Sequence, residues 1–538
     1  MLDGCTPWPD EAAARYRALG LWRGESLGSA LRQAAARLGS RVALVHGDRR
    51  ITYAELDVWA DRLAAGFARH GVAARERIVV QLPNLPEFVA ICFALFRLGA
   101  IPVFALAAYR ETELRHLCEL TGASGYIGPD VHRDFDHRVL AVKVREGSPS
   151  LRSLFVVGEP TAEVLLLPEA EPIALPEPDP SDAAFFLLSG GTTALPKLIP
   201  RTHDDYLYQA RTAAAICELS DRTVYLAALP IEFNFAWGCP GVIGTLLAGG
   251  TVVIADDPAP ETCFPLVEKE GVTLTSLVPS LAQLWVEEAE WTTFALGSLR
   301  LLQVGGDRMK PEFVRSISPS LGCTLQQVFG MAEGLLTFTR EHNSTEHVLG
   351  TQGLPISPQD EILIVGEDDA VLPPGDIGEL ITRGPYTLRG YYRAAEHNQR
   401  AFTEDGFYRT GDLARLTDHG ELIVEGRIKD MIIRGGDKIS AGEVESYLLE
   451  HPAIVAAAVI GVPDEFFGER TCAFVVVRPG SSQPPLTELR AAMSSLGVAA
   501  YKLPDRVKAV EALPLTLLGK VDKKALRAME NNVESAQK

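Results

Sequence analysis

The segment LLSGGTTALPKLIPRTH (187–203) gathers Ser189, Gly190, Gly191, Thr192 and Thr193 ahead of Lys197, at the end of the apolar run AAFFLL. Small residues let main-chain N–H groups approach an oxyanion, hydroxyls add donors, and lysine adds positive charge, the combination a triphosphate requires. The GxxxxGK[ST] spacing is absent, which disfavours a Walker A loop. A flexible Gly/Ser/Thr turn would use the same residues, so this segment alone leaves both readings open.

Four more segments follow in order: QQVFGMAEG (326–334), RTGD (409–412), GRIKD (426–430) and PLTLLGKVDKKAL (514–526). Taken singly, each reads as a turn, a charged loop or an exposed basic tail. Taken together with the glycine- and threonine-rich loop, their order and spacing resemble the adenylate-forming superfamily of acyl and aryl acid ligases. The resemblance runs from WPDEAAARYRALGLW (8–22) to the C-terminal lysine motif. It is nearest to aryl acid–AMP ligases such as those for 2,3-dihydroxybenzoate and salicylate.

The resemblance implies a two-step reaction. Mg·ATP and an aromatic carboxylic acid give aryl-AMP and pyrophosphate, and the aryl group passes to the phosphopantetheine thiol of a carrier protein in siderophore or nonribosomal peptide synthesis. Free coenzyme A as acceptor, and a non-catalytic acyl-adenylate-binding protein, are the alternatives. The resemblance places Ser189 to Thr193 and Lys197 on the phosphates and makes Glu333 the Mg²⁺ ligand, a role suited to a hard carboxylate oxygen. It puts Asp412 on the ribose hydroxyls and Arg427 on ribose or phosphate. Asp430 is the expected hinge, and Lys520, with Glu333 and Thr193, the expected catalytic group. Adenine is expected against Gly305, Gly306 and Asp307 and near Gln327, Val328, Phe329 and Gly330, because glycines at a strand end permit close approach.

The stretch LPIEFNFAWGCPGVIG (229–244) matches the aryl pocket, with Phe233, Asn234, Phe235 and Cys239 as lining residues beside Gly305 and Val328. Asn234 is expected at the ortho hydroxyl. Phe233, Phe235 and Cys239 stand where relatives carry histidine, tyrosine and serine, which tilts the expected acid toward salicylate. Glu232 either pairs with an amino or pyridinium group of the acid or points to solvent. Ala194 replaces the usual glycine after the paired threonines, which costs of order 1 kcal/mol if that position needs a positive φ.

These residues need a scaffold of some size. The chain has 538 residues, room for roughly three to four compact units at ~150 residues each. Helical stretches such as TYAELDVWADRLAAGFARHG (52–71) alternate with runs such as RIVVQL (77–82) and TVVIA (251–255), the grammar of doubly wound, mainly parallel α/β sheets. Gly- and Pro-punctuated short strands between about 350 and 426 predict a small β-barrel or sandwich. A new α+β unit follows GRIKDMIIRGG, so the expected domains are 1–429, the adenylation core, and 430–538, a mobile domain carrying Lys520. Residues 159–181, rich in Pro and Glu, read as a surface connector.

With 51 Lys+Arg against 70 Asp+Glu, the net charge of −19 argues against nucleic acid or anionic lipid as partner. Eight cysteines without CxxC spacing suggest neither zinc nor a disulfide framework. The most apolar stretch, 91–109, is broken by Arg97 and Pro102, and the N-terminus lacks a basic, then apolar leader, so a cytoplasmic location without a membrane span is expected.

Overall fold

The structure, a computed structural model, describes residues 1–189, 196–306, 309, 311–340, 345–434, 437–464, 466–496, 498, 500–516 and 520–536. Its architecture is mixed α/β, with a large N-terminal domain on two mainly parallel sheets and a smaller C-terminal domain.

Local chemistry sets the elements. Thr52 starts helix Tyr53–Arg69 with a capping box: its side chain accepts from the Glu55 N–H while Glu55 reaches back to the Thr52 N–H. Helix Pro86–Leu98 begins on proline and stops at Gly99, whose φ of 70° is left-handed and favours glycine. Every residue of that helix except Glu87 is buried, so the stretch that is too interrupted to span a membrane instead fills the protein interior. Arg97, inside it, is neutralised by Asp57 and Asp61. Phe88 and Phe96 are fully buried, each contributing roughly 2–3 kcal/mol.

One sheet has the order Leu198–Thr202, Ala183–Leu188, Ile101–Phe104, Arg77–Val80, Gly125–Pro129, Ser153–Val157, Leu165–Leu166, parallel apart from the first pair. In the other, the parallel strands run Thr324–Met331, Leu301–Gly305, Leu274–Leu277, Val224–Ala227, Thr251–Ile254 and Val42–His46, with antiparallel strands at both edges. Side chains of both sheets and of helix Pro86–Leu98 share one core. Asn84 ties the sheets together: its Nδ2 donates to the carbonyls of Ala227, Leu229 and Ala255, and its Oδ1 accepts from the Ile231 N–H. The Pro/Glu-rich segment lies mostly on the surface, pinned by Leu165–Leu166 at the sheet edge.

Where the sequence suggests a barrel or sandwich, strands Glu361–Val365, Gly378–Arg383, Tyr408–Leu416 and Leu422–Arg427 pair in that linear order as one antiparallel sheet. Alternation and turn residues specify antiparallel neighbours, but closure depends on strand tilt, which they do not encode. The C-terminal sheet comprises Asp437–Ser440, Met431–Arg434, Gly468–Val477 and Ile454–Asp464, with Arg506–Ala509 parallel to Gly468–Val477. The basic tail is a helix, Lys523–Ala536. Among the described residues no helix is long and apolar enough to cross a membrane.

Candidate active site

Strand Leu301–Gly305 ends beside Thr324–Met331, with Gly305 paired to Val328. A Cβ on Gly305 would stand 2.6 Å from the Val328 carbonyl oxygen and 3.4 Å from the Phe235 ring, so only glycine lets the strand end and the ring meet. Gly306, at φ 97°, turns the chain away. A Cβ there would lie 3.9 Å from Cε of Lys520, which brings the C-terminal lysine to the carboxyl end of this strand. Lys520 is held in a turn in which the Thr516 N–H donates to the Lys520 carbonyl at 2.6 Å and the Lys520 N–H to Thr516 Oγ1 at 3.2 Å.

Around this strand end the charged residues converge. Asp412 and Arg427 face each other in the register of their strands and form an ion pair of 2.8 Å. Burial raises the Asp412 carboxyl, opposed by the positive charges of Arg427 and Lys520. Glu333, in the turn after Thr324–Met331, is buried and accepts from the Tyr391 hydroxyl at 2.7 Å. Because a carboxylate only accepts, the 2.8 Å contact between the hydroxyls of Tyr391 and Tyr408 has Tyr408 as donor. Lys197 lies with Nζ 5.4 Å from the Tyr391 ring centroid. Ser189 and Lys197 bond to each other: the Ser189 N–H donates to the Lys197 carbonyl at 2.9 Å and the Lys197 N–H to Ser189 Oγ at 3.0 Å. Gly190, Gly191, Thr192, Thr193, Ala194 and Asp307 lie outside the described residues.

The stretch after Pro230 makes the second half of the site. Phe233 caps the short helix Asn234–Gly238. Asn234 Oδ1 accepts from the Tyr206 hydroxyl at 2.9 Å and from Gln209 Nε2 at 3.2 Å, while its Nδ2 donates to the Met331 carbonyl at 3.4 Å. Cys239 is buried behind Asn234, donating to its carbonyl, and burial pushes this thiol up. Glu232 is 6% exposed, which overturns the solvent-facing alternative. Burial raises its carboxyl to about 8, despite main-chain donors at Glu232 and Ala107, and Oε2 lacks a hydrogen-bond partner. Strand alternation turns Gln327 and Phe329 away from Val328. The Gln327 amide donates to the Val348 carbonyl, and Phe329 packs with Leu335, Ile364 and Leu380. Gly330 pairs with Leu336 further along the same strand. Asp430 closes the 3-10 turn Ile428–Asp430 and lies 3.6 Å from Arg527 of the C-terminal helix.

Four residues that sequence reasoning passed over hold this arrangement. Tyr391, in the TLRGYY segment, links Glu333 to Tyr408. Arg201, Tyr206 and Gln209 follow the glycine- and threonine-rich loop directly. Arg201 donates to Asp205, Gln209 and the carbonyls of Ala332 and Tyr386. Its only local signal is Asp205 and Gln209 at four and eight residues along, which a helix stacks on one face.

The sequence matches the AMP-binding enzyme family over residues 31–392 and the AMP-binding enzyme C-terminal domain over residues 443–520. It is 52% identical over 529 residues to the 2,3-dihydroxybenzoate-AMP ligase of Bacillus subtilis, covering 98% of each chain. It is 46% identical over 534 residues to the salicyl-AMP ligase / salicyl-S-ArCP synthetase of Mycobacterium tuberculosis, covering 98% of this chain and 94% of that one. The apo structure of MbtA from Mycobacterium smegmatis superposes with a TM-score of 0.76 at 46% identity, over 98% of both chains. With full-length identity near half and both parts of the fold matched, the chain belongs to the AMP-binding enzymes, in the aryl acid–AMP ligase family.

Proposed function

We propose that this enzyme activates an ortho-hydroxylated aromatic acid of the salicylate type with ATP and delivers it to the phosphopantetheine thiol of an aryl carrier protein. The observation that carries the reading is Lys520: a residue near the end of the chain stands at the carboxyl end of Leu301–Gly305, where it shares an electrostatic environment with Asp412 and Arg427. A crevice at the carboxyl ends of parallel strands is the general ligand position in such folds.

An oxygen of the aryl carboxylate attacks the α-phosphorus, the bond from phosphorus to the bridging oxygen breaks, and pyrophosphate leaves with that electron pair. Lys520 would sit between the attacking carboxylate and the α-phosphate, stabilising charge that builds in the transition state. Lys197, bonded to Ser189 through the main chain, would meet the outer phosphates, and Asp412 the ribose hydroxyls. Glu333 offers one carboxylate oxygen beside the one bound by Tyr391. Among the described residues no cluster of three His, Cys, Asp or Glu forms a cage, so the donor set fits a Mg²⁺ held chiefly by the nucleotide. That ion would neutralise phosphate charge. In the second step the carrier sulfur attacks the acyl carbon, the bond from that carbon to the phosphate oxygen breaks, AMP leaves with the electron pair, and the thiol proton passes to water. We place the rotation that admits the thiol at Asp430. None of the eight cysteines is in a disulfide, which accords with a reducing, cytoplasmic setting.

Carboxylate-dependent exchange of labelled pyrophosphate into ATP tests the first step. Salicylate or 2,3-dihydroxybenzoate should support exchange well above benzoate, and absence of exchange across the aryl acids would sink the proposal. Loading of a purified aryl carrier protein, compared with formation of a CoA thioester, tests the acceptor.

A further inference from the structure

We propose that Arg201 and Gln209 are positioning residues of the acid pocket, which lock the Asn234 amide with its Nδ2 toward the substrate and so select an ortho substituent that accepts a hydrogen bond over one that donates. The inference rests on the proposed function and deepens it, from an aromatic acid to the hydrogen-bonding sense of its ortho group.

One buried chain of contacts sets the orientation. A guanidinium can only donate. Arg201 is fully buried, and each of its three nitrogens donates: Nε to Asp205 at 2.9 Å, Nη1 to the Ala332 carbonyl at 3.1 Å, and Nη2 to Gln209 Oε1 at 2.9 Å and the Tyr386 carbonyl at 3.2 Å. The Gln209 amide therefore faces Arg201 with its oxygen, which leaves its nitrogen on the other side. There Nε2 meets the Gly238 carbonyl at 3.1 Å, an atom that can only accept, and Asn234 Oδ1 at 3.2 Å. Both ends of Gln209 agree on one orientation.

Asn234 inherits that orientation. Its Oδ1 is taken by Gln209 and by the Tyr206 hydroxyl at 2.9 Å, and one Nδ2–H points at the Met331 carbonyl at 3.4 Å. Flipping the amide would set oxygen against the Met331 carbonyl and nitrogen against Gln209 Nε2. Tyr206 does not enforce the choice, since a hydroxyl can turn to donate or accept. Gln209 does, because Arg201 prevents it from turning. The second Nδ2–H of Asn234 has no acceptor among the described hydrogen bonds, and Asn234, the neighbour of Phe235, is only half-buried.

An ortho hydroxyl of the salicylate type donates its single proton to its own carboxylate, so its oxygen turns lone pairs outward and can accept from Asn234. An ortho amino group that makes the same internal bond keeps a second N–H directed outward, against the N–H of Asn234. The two acids have nearly the same shape and differ in the sense of one hydrogen bond. Arg201 also holds the Ala332 carbonyl, next to Glu333, so the cation that fixes the acid pocket is anchored on the turn carrying the carboxylate of the nucleotide side.

The test compares kcat/KM in pyrophosphate exchange for salicylate, anthranilate and benzoate in the wild type, Gln209→Met, Asn234→Asp and the double variant. The wild type should prefer salicylate to anthranilate. Gln209→Met should shrink that ratio about tenfold, mainly through KM, the effect of one hydrogen bond. Asn234→Asp presents an acceptor in either orientation and should reverse the preference toward anthranilate. In the Asn234→Asp background the two carboxylate oxygens are equivalent, so adding Gln209→Met should leave the ratio where it stands. Parallel losses for all three acids in Gln209→Met, or the same tenfold effect of Gln209→Met in the Asn234→Asp background, would show a role in packing alone and overturn the proposal. If Gln209→Met does not fold, Asn234→Asp decides by itself: a reversed ratio supports the lock, and a retained preference for salicylate overturns it. A wild type without exchange on any ortho-hydroxy acid defeats the functional reading beneath it. A wild type equally active on salicylate and anthranilate defeats the lock alone.

Discussion

Lys520, Asp412, Arg427 and Glu333 place two cations and two carboxylates around one strand end, in a chain whose overall charge is −19. Local cations let an acidic protein hold a triphosphate, and the one nearest the strand end should matter most for the chemistry. Lys520→Ala is expected to lower pyrophosphate exchange by about 10²- to 10³-fold, the range for removing a preorganised charge from a transition state. ATP binding, followed by fluorescence or calorimetry, should change much less. Glu232 gives a prediction about stability. Burial holds its folded-state carboxyl near 8, far above an unfolded glutamate, so the folded protein binds the extra proton between about pH 5 and 8. Stability from this group is present at the acid end of that window and lost as pH rises through 8. Glu232→Gln should therefore gain Tm relative to the wild type as pH goes from 5 to 8, and a difference that stays flat with pH would contradict the assignment.

At the scale of elements, the site depends on how closely two strands and one loop approach. Gly305→Ala would drive a Cβ to 2.6 Å from the Val328 carbonyl, a main-chain atom that cannot swing aside. We expect exchange activity to fall at least tenfold with KM for the acid raised, since the Phe235 ring must also move. Asn84 acts between sheets, and Asn84→Ala would leave buried carbonyls of Ala227, Leu229 and Ala255 with fewer donors. A loss of about 2–3 kcal/mol in urea unfolding is expected. The helices themselves follow from short-range signals: Thr52 and Glu55 start one, Gly99 stops another, and alternation marks the strands. Edge pairing of the sheet at 361–427 and the burial of Glu232 are not written in such signals, because both depend on neighbours distant in sequence.

For the whole molecule, Asp430 in the turn Ile428–Asp430 pairs with Arg527 of the last helix, and Lys520 stands by Gly306 at the end of strand Leu301–Gly305. In the proposed mechanism, Lys520 in this place serves adenylate formation. Asp430→Pro, which restricts the backbone at the proposed hinge, should keep pyrophosphate exchange within about threefold while cutting aryl transfer to a carrier thiol more than tenfold. Equal losses in both half-reactions would remove Asp430 from that role. The alternation of helices and strands is readable along the chain from residue type and spacing, and the ordered motifs together carry the resemblance that names the family and makes Lys520, Glu333, Asp412 and Asn234 candidates, although each motif alone reads as an ordinary turn or charged segment. The orientation of the Asn234 amide, the clasp of Tyr391 on Glu333 and the buried state of Glu232 come into being only on folding. Each is fixed by donors, acceptors and desolvating neighbours that lie far off in sequence, and hydrogen-bond direction and burial have no representation in residue order alone.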